Sequence, residues 1–324
     1  MKIPDGAEQF LAGTSWSGGV ISPLAGDASF RRYFRVTKNG EQCVLMDAPP
    51  PEEDPKPFIA LSGYLTEHGF AAPSILASDL SKGLVLIEDF GDARMREHLD
   101  DQPADELAMY RKTVDELKRL HNIRSANILP YDYAQYRRET DLLTEWYCTS
   151  MGLEVDLNEY DAAWEEVLQP VLARQSPPVT VLRDYHAENI MLLNDGRLGL
   201  LDFQDALAGH RAYDLVSMLQ DARRDVPIEV EQSMLDYYLI DEQNPSEFLS
   251  HYAILGAQRN AKIIGIFTRL CKRDGKARYL DYLPRMWGLL ERDLKHPDLA
   301  RLRRWFDANI PQKIRSQKMP MDTV

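Results

Sequence analysis

Residues 181–205 constrain the fold of this chain more than any other stretch. They contain two short apolar runs separated by the turn segment 194–196, which reads Asn-Asp-Gly. These residue types tolerate the positive φ of tight turns, so the stretch predicts a β-hairpin. Asp184 precedes the hairpin, Asn189 stands at its start and Asp202 follows its return strand. Because a hairpin brings its ends together, we expect Asn189 and Asp202 to converge.

One amide and one carboxylate suit Mg²⁺, which takes hard oxygen ligands and keeps water or phosphate oxygens beside them. Asn189 and Asp202 are therefore candidate metal ligands. The remaining carboxylate, Asp184, is the candidate base for a substrate hydroxyl. Protein kinases place a catalytic Asp, an Asn and a metal-binding Asp in this order around a hairpin. The alternative is a solvated hairpin whose polar side chains satisfy local backbone groups.

A family resemblance follows from the same residues. The segment 183–189 (Arg-Asp-Tyr-His-Ala-Glu-Asn), followed by Leu-Asp-Phe at 201–203, resembles the aminoglycoside phosphotransferase family of small-molecule kinases. The segment 210–215 is similar to the part that follows in that family, where the Asp at a helix start braces the catalytic loop. That residue is Asp214 here. Many relatives have His-Gly-Asp where this chain has Leu-Arg-Asp, so only the base is kept in that triplet.

The resemblance implies an α+β, bilobal, protein-kinase-like fold. A small β-rich N-lobe is expected at residues 1–90, and a larger, mostly helical C-lobe at residues 91–324. It also implies ATP as the phosphoryl donor and Mg²⁺ as the cofactor. A chain of 324 residues is long enough for two such lobes.

Composition narrows the partners and the compartment. The formal net charge is −13, which argues against nucleic acid as a partner, because the phosphates of nucleic acids bind to basic protein surfaces. Cys43, Cys148 and Cys271 are far apart and odd in number, so they predict neither a disulfide framework nor a zinc site. No apolar run approaches the length of a membrane span. We expect a cytoplasmic monomer that acts on a small molecule, with no membrane partner.

Residues 23–36 predict a strand, a turn of small residues and a second strand. Small side chains let the backbone approach a ligand closely, so that its amide groups point at phosphate oxygens. The alternative is an ordinary β-meander. The candidate phosphate-binding residues of this turn are Gly26, Asp27, Ala28 and Ser29.

The third predicted strand, residues 42–46, lacks a lysine. Kinases usually place a lysine there to hold the phosphates and to pair with a glutamate on the next helix. The following helix, residues 57–69, has no glutamate before Glu67. Another cation must therefore offset the phosphate charge, or Mg²⁺ must do more of that work. Arg31 and Arg32 are nearest, but alternation lets only one of them face the nucleotide, and we predict Arg32.

The apolar run 84–87 ends in a polar bend that contains glycine. This segment looks like the hinge between kinase lobes. Backbone groups near Glu88 and Phe90 are then expected to hydrogen-bond the adenine edge. The alternative is a plain strand-to-loop exit.

The acceptor-binding candidates mix acids, an aromatic and a cation. A Trp beside a carboxylate suits a sugar, because the ring covers C–H groups and the carboxylate accepts from hydroxyls. An Arg can hold a carboxylate-bearing sugar. The alternative makes Trp146 a core aromatic and Arg259 a surface cation. Asp205 is predicted to bind either a second metal or the sugar, or else to brace the loop. The candidates are Glu139, Glu145, Trp146, Asp205 and Arg259, and Lys262 shares a helical face with Arg259 by its i,i+3 spacing.

Four features together resemble one branch of the family, the bacterial anomeric kinases of N-acetylmuramate and N-acetylglucosamine. They are the segment 27–35, the third strand without lysine, the Glu-Trp-Tyr at 145–147, and the Gly-Ala-Gln-Arg at 256–259. The resemblance covers most of the chain and implies phosphorylation of the C1 hydroxyl in peptidoglycan recycling. Alternatives are a kinase of another small alcohol, of the aminoglycoside, choline or homoserine type, and a pseudokinase. The presence of Asp184, Asn189 and Asp202 argues against a pseudokinase.

Overall fold

The computed structural model describes residues 2–24, 31–317 and 319. By their internal contacts they form two compact units. The first contains the residues up to Asp101 together with Glu188–Asp205, and the second contains Gln102–Ala187 and the chain from Ala206 onward. The predicted phosphate-binding turn (Gly26, Asp27, Ala28 and Ser29) lies outside the described residues.

The strands of the described residues are β1 Val20–Pro23, β2 Arg32–Lys38, β3 Glu41–Asp47, β4 Ile75–Asp79, β5 Leu84–Glu88, β6 Val179–Val181, β7 Ile190–Leu192, β8 Leu198–Leu200 and β9 Leu207–Gly209. The α-helices are α1 Ala7–Ala12, α2 Lys56–Glu67, α3 Met95–Asp101, α4 Glu106–His121, α5 Tyr133–Leu142, α6 Leu157–Ala173, α7 Ala212–Leu219, α8 Ile228–Tyr238, α9 Pro245–Lys272, α10 Leu283–Asp293, α11 Ala300–Asn309 and α12 Gln312–Arg315.

The first unit is built on an antiparallel sheet with the strand order β1-β2-β3-β5-β4. Side chains alternate between the two faces of a strand, and one face packs on α1. Tyr33 and Arg35 on β2 therefore point to the opposite face. The core residues of the packed face are Ala7, Leu11, Phe34, Val36, Cys43, Leu45, Leu84 and Leu86.

The predicted hairpin is present as β7 and β8. Ile190 pairs with Leu200, and Gly196 supplies the positive φ of the turn, +82°. The backbone N–H of Leu200 donates to the carbonyl of Ala71 at 2.7 Å, and that of Leu192 donates to Ala93 at 2.7 Å. These bonds attach the hairpin to the first unit, whereas the predicted C-lobe, residues 91–324, included it. Backbone pairing, rather than chain order, places it there.

The second unit is mostly helical and is organised around α9. This helix packs against α5, α7 and α10, and most of its residues are buried. β6 and β9 pair antiparallel in the same unit. An antiparallel sheet followed by a mostly helical region confirms the α+β class. No helix of the described residues combines the length and the apolar character that a membrane span needs.

Candidate active site

The loop after β6 carries Asp184 and is held by a carboxylate of α7. The backbone N–H of Leu182 donates to Asp214 Oδ2 at 2.7 Å, and that of Arg183 donates to Asp214 Oδ1 at 2.8 Å. Arg183 adopts the left-handed conformation, with φ of +71°. Ser217 Oγ donates to the Arg183 carbonyl at 3.0 Å. The brace that the family resemblance implied for Asp214 is therefore confirmed.

The far side of the same loop is fixed by two more contacts. The backbone N–H of Ala187 donates to Asp221 Oδ2 at 3.3 Å. The hydroxyl of the buried Tyr185 donates to the carbonyl of Thr113 on α4 at 2.9 Å. Asp184 thus sits on a backbone that is held from both sides, which limits the number of orientations its carboxylate can take.

Asp184 is half-buried and is surrounded by cations. Burial by itself would raise the pKa of its carboxyl, but the cations Lys262, Arg183 and Arg259 hold that pKa below its ordinary value. Opposite charges favour the ionised form of a carboxyl. The predicted base is therefore a carboxylate at neutral pH.

Glu139 lies deeper than the sequence analysis expected. It is 4% exposed, and burial alone would raise the pKa of its carboxyl. Neighbouring cations and donors lower that pKa to about 2 instead. A carboxylate with this many donors is a scaffold for the charges near Asp184 rather than an open sugar ligand. Its donors and ion-pair partners are Tyr131, Gln135, Arg183, Gln258 and Lys262.

Arg259 is buried, at 3% exposure, so the alternative that made it a surface cation is wrong. Its Nη1 donates to the carbonyl of Gln220 at 3.3 Å. Lys262, one turn further along α9, places Nζ 3.1 Å from Glu139 Oε1 and 3.3 Å from the hydroxyl of Tyr213. Arg259 and Lys262 thus lie on the shared face of α9 that their i,i+3 spacing predicts.

Glu145 and Trp146 lie in a π-helical turn, Leu143–Cys148. Glu145 is exposed and Trp146 is partly exposed, so Trp146 is not a core aromatic. Gly265 of α9 approaches this region closely, because a Cβ there would meet the backbone of Leu142. Single π-helical turns are frequent at functional sites. Both side chains are accessible to a ligand.

In the first unit, Asn189 and Asp202 converge as the hairpin predicts. Asn189 Nδ2 lies 3.4 Å from Asp202 Oδ2, and Asp202 is exposed with φ of +58°. Rotation of the Asn189 side-chain amide by half a turn presents Oδ1 on the same side. An amide oxygen beside a carboxylate fits a hard cation such as Mg²⁺. The described residues contain no group of three or more His, Cys, Asp or Glu side chains arranged to hold a metal, so this pair would need water or phosphate oxygens as its further ligands.

Asp205 shares a partner with Asp202. Gln204 Nε2 donates to Asp202 Oδ1 at 2.8 Å and lies 3.3 Å from Asp205 Oδ2. Between these residues, Phe203 is fully buried and stacks on Phe58 with ring centroids 5.0 Å apart. The loop after β8 is therefore anchored by an aromatic and ordered by one amide. This arrangement favours the loop-bracing interpretation of Asp205.

Arg32 does not face the side of the sheet that carries Asp202. It shares a face with Phe34, and its guanidinium pairs with Asp47 at 2.5 Å. Burial raises the pKa of Tyr33 to about 12, with Asp202 adding to the shift and Arg31 opposing it. Arg31, which donates to Glu53 at 2.9 Å, is therefore the arginine on the side of Tyr33 and Asp202.

The predicted hinge segment is held by an arginine that the sequence analysis missed. Arg35 Nε donates to Asp89 Oδ2 at 2.6 Å, and Arg35 Nη2 donates to Asp92 Oδ1 at 2.9 Å. Strand alternation, which puts Arg35 on the side of Tyr33, was the available signal. The backbone N–H of Glu88 donates to the carbonyl of Ser74 at 2.9 Å.

Phe90 covers the hairpin. A Cβ at Gly199 would lie 2.7 Å from Cδ2 of the Phe90 ring, so only glycine leaves room for that ring on β8. The adenine contacts predicted near Glu88 and Phe90 stay predictions.

Residues 20–248 match the model of the family described as "Phosphotransferase enzyme family". The chain is 34% identical to the N-acetylmuramate/N-acetylglucosamine kinase of Caulobacter vibrioides, over 94% of this chain and 96% of that protein. It is 38% identical to the protein of the same name from Pseudomonas aeruginosa, over 90% of this chain and 89% of the relative.

Solved structures agree on the fold. The complex of gentamicin with APH(2")-IIa superposes with a TM-score of 0.64 at 15% identity, covering 90% of this chain and 99% of that one. A choline/ethanolamine kinase family protein from Mesorhizobium loti gives a TM-score of 0.64 at 14% identity, covering 92% and 96%. The predicted kinase-like fold is confirmed. The chain belongs to the phosphotransferase enzyme family.

Proposed function

We propose that this protein transfers the γ-phosphoryl group of ATP to the anomeric hydroxyl of N-acetylmuramate and of N-acetylglucosamine. The observation that carries the proposal is the ionised Asp184 on a loop fixed by Asp214 and Asp221. Relatives at 34% and 38% identity, aligned over most of their length, support the choice of sugars. The products would be sugar 1-phosphates that enter peptidoglycan recycling.

In this mechanism Asp184 orients the C1 hydroxyl of the sugar and accepts its proton as the phosphoryl group transfers. An anomeric hydroxyl is more acidic than an ordinary alcohol, so a carboxylate with a lowered pKa suffices as the acceptor. The transition state of phosphoryl transfer is loose, and most of the acceleration comes from positioning and charge compensation. The loop contacts to Asp214 and Asp221 supply that positioning.

Asn189 and Asp202 are the residues that would hold Mg²⁺. When bound, the ion neutralises charge on the phosphate oxygens of the nucleotide. Arg31 is better placed than Arg32 to replace the absent third-strand lysine, because it lies on the side of Tyr33 and Asp202.

The cations around Asp184 favour an anionic or neutral acceptor over a polycation. Arg259 and Lys262 are both buried close enough to lower the pKa of Asp184. An aminoglycoside or choline would meet like charge there, whereas the carboxylate of N-acetylmuramate would meet a partner. Glu145 and Trp146 are accessible for hydroxyl and ring contacts. This distribution of charge supports the amino-sugar acceptor over the alternative small alcohols.

The proposal includes a cytoplasmic monomer. Cys43, Cys148 and Cys271 are all free thiols, and two of them are buried, which suits a reducing compartment.

The decisive experiment is ³¹P NMR of the purified protein with ATP and Mg²⁺, first with N-acetylmuramate and then with N-acetylglucosamine. We expect a new phosphate monoester resonance coupled to the anomeric proton of each sugar. If neither sugar leads to the formation of ADP, the proposed acceptors are rejected. A panel of aminoglycosides, choline and homoserine would then be tested for another acceptor alcohol. Protein without sugar gives the background rate of ATP hydrolysis.

A further inference from the structure

The second unit contains a cavity of about 780 Å³ that the mechanism does not use. Its wall includes Val179, where β6 begins, and Gly209, where β9 ends. Asp184 follows the other end of β6. The cavity therefore opens at the end of this strand pair opposite to the catalytic loop, and it is separate from the proposed acceptor site. Cavities of this size hold sugar-sized or nucleotide-sized ligands.

The lining of the cavity is cationic. Arg124, Arg174 and Arg211 line it, and no Asp or Glu stands among the described residues of its wall. The chain as a whole carries a net charge of −13, so the three guanidinium groups of this wall are opposite in sign to the net charge of the chain. Clefts lined by one sign of charge concentrate ligands of the opposite sign.

Two of these guanidinium groups are positioned by acids that stand outside the wall. Arg174 Nε pairs with Glu247 Oε1 at 2.8 Å, and Arg211 Nη2 pairs with Glu242. Arg211 also lies 5.0 Å from the ring centroid of Phe248. Each of these ion pairs uses one guanidinium nitrogen, and a guanidinium offers five N–H donors in a fixed fork. The arrangement orients the arginines and leaves donors for a ligand.

The rest of the wall is held in place before any ligand arrives. Gln175 Nε2 donates to the carbonyl of Tyr131 at 2.9 Å, and Pro177 and Pro178 stiffen the segment that follows. His210 Nδ1 accepts from the backbone N–H of Ala212 at 3.1 Å. A preformed site loses less entropy on binding than a flexible one.

We propose that this cavity is a second binding site, for a small molecule that carries a phosphate group. Arginine forks match phosphate oxygens in a bidentate manner, which accounts for the choice of phosphate. Arg211 immediately precedes α7, whose Asp214 holds the catalytic loop. A ligand bound to Arg211 therefore contacts a residue that stands only three positions before Asp214 in the chain.

The test is isothermal titration calorimetry of the full chain, and binding at the cavity is measured as the binding that a variant of its wall loses. Inorganic phosphate, N-acetylglucosamine 1-phosphate and AMP are titrated separately. The double variant Arg174→Gln/Arg211→Gln removes two cations of the wall. The matched control is Arg303→Gln, an exposed arginine on α11 of the same unit. The assay needs no turnover, so its result is independent of the proposed kinase activity.

We expect the wild type to bind at least one probe, and the double variant to bind it about tenfold more weakly or worse, since charge-assisted hydrogen bonds are lost. Arg303→Gln should match the wild type. Tightest binding of AMP would identify a nucleotide as the source of the phosphate, and tightest binding of the sugar phosphate a phosphorylated sugar. No binding by the wild type, or equal binding by the double variant, overturns the proposal. If circular dichroism shows the double variant unfolded, the exposed Arg174→Gln alone replaces it.

Discussion

Asp184 illustrates how its neighbours set the chemistry of one carboxylate. Burial favours the neutral acid, whereas Lys262 and Arg183 favour the carboxylate, and the effect of these charges is the larger one. Glu139 makes this possible, because it binds Arg183 and Lys262 at once and keeps both cations in place. A lone buried acid would have been protonated and unable to accept a proton.

Asp184→Asn is expected to lower turnover by about 10²–10⁴-fold, the usual contribution of a positioned general base, while nucleotide binding is kept. Asparagine preserves size and can still orient a hydroxyl, but it cannot accept the proton. Steady-state kinetics and nucleotide titration measure the two effects. Asp195→Asn is the control, since Asp195 lies in the exposed hairpin turn and pairs with Arg197. Near-normal turnover of Asp184→Asn would remove this residue from the role of base.

The helix α7 and the catalytic loop act as one element through Asp214. This carboxyl is fully buried and accepts two backbone N–H groups. Burial raises the pKa of Asp214 to about 7, even though both N–H donors oppose the shift. An acid whose pKa is raised in the folded state binds protons more tightly there than in the unfolded chain. Its contribution to stability is complete at low pH and is lost as pH rises through about 7.

Asp214→Asn is expected to lower the free energy of unfolding by about 1–3 kcal/mol, because the amide NH₂ faces one buried N–H that then lacks an acceptor. The difference from wild type should shrink as pH rises from 3.8, the ordinary pKa of the carboxyl, to its raised pKa of about 7. Urea unfolding at several pH values measures it. Asp236→Asn, an exposed acid on α8, serves as the control and should show no such trend. A pH-independent difference would contradict the raised pKa of Asp214.

The packing of α9 on the region before the π-helical turn depends on Gly265. A Cβ at this position would meet the backbone carbon and oxygen of Leu142, and would lie 2.7 Å from the Leu142 Cβ. Backbone atoms cannot rotate away as a flexible side chain can. The close approach of the two helices therefore requires glycine here.

Gly265→Ala is expected to cost about 1–3 kcal/mol of stability, because the two helices must move apart. Gly288→Ala is the matched comparison: Gly288 lies in α10, and a Cβ there meets nothing within 4 Å. That change should stabilise by about 0.5–1 kcal/mol through helix propensity. Thermal unfolding of both variants checks the opposite signs. Similar shifts in the unfolding temperature of the two variants would show that the lack of space at Leu142 does not determine the effect of Gly265→Ala.

The molecule as a whole combines a net charge of −13 with cations concentrated at a few places. Arg259 and Lys262 are buried near Asp184, and three arginines line the cavity of the second unit that is proposed as a phosphate-binding site. Local clusters of cations can therefore bind an anionic ligand even though the net negative charge of the protein repels it. Ligand binding and global stability are linked, because a ligand that binds only the folded state stabilises it.

An ATP analogue with Mg²⁺ is expected to raise the unfolding free energy by about 2.7 kcal/mol at one hundred times its dissociation constant. Removing the metal with a chelator should abolish most of this gain. Asn189→Ala should reduce the metal-dependent part, since it deletes a predicted ligand, while the gain from nucleotide alone persists. Thermal unfolding with Mg²⁺ alone is the control. An unchanged metal-dependent gain in Asn189→Ala would exclude this residue as a ligand.

The features that the sequence predicted are those with local causes. The hairpin follows from the residue types of segment 194–196, and the convergence of Asn189 and Asp202 follows from the hairpin. The α+β class follows from the resemblance of contiguous motifs, and Asp214 as brace follows in the same way. In each case the information lies within a few residues of the feature, or in a motif of fixed spacing.

Other features depend on contacts between residues far apart in the chain, so the sequence did not reveal them. Glu139 looked like an open ligand, but it became a buried scaffold because Arg183 and Lys262 meet it from other elements. Strand order and register, not proximity in sequence, placed Arg31 rather than Arg32 on the side of Asp202. The cationic cavity likewise joins segments separated by dozens of residues. Burial and electrostatic fields depend on distances in space, and packing alone fixes those distances.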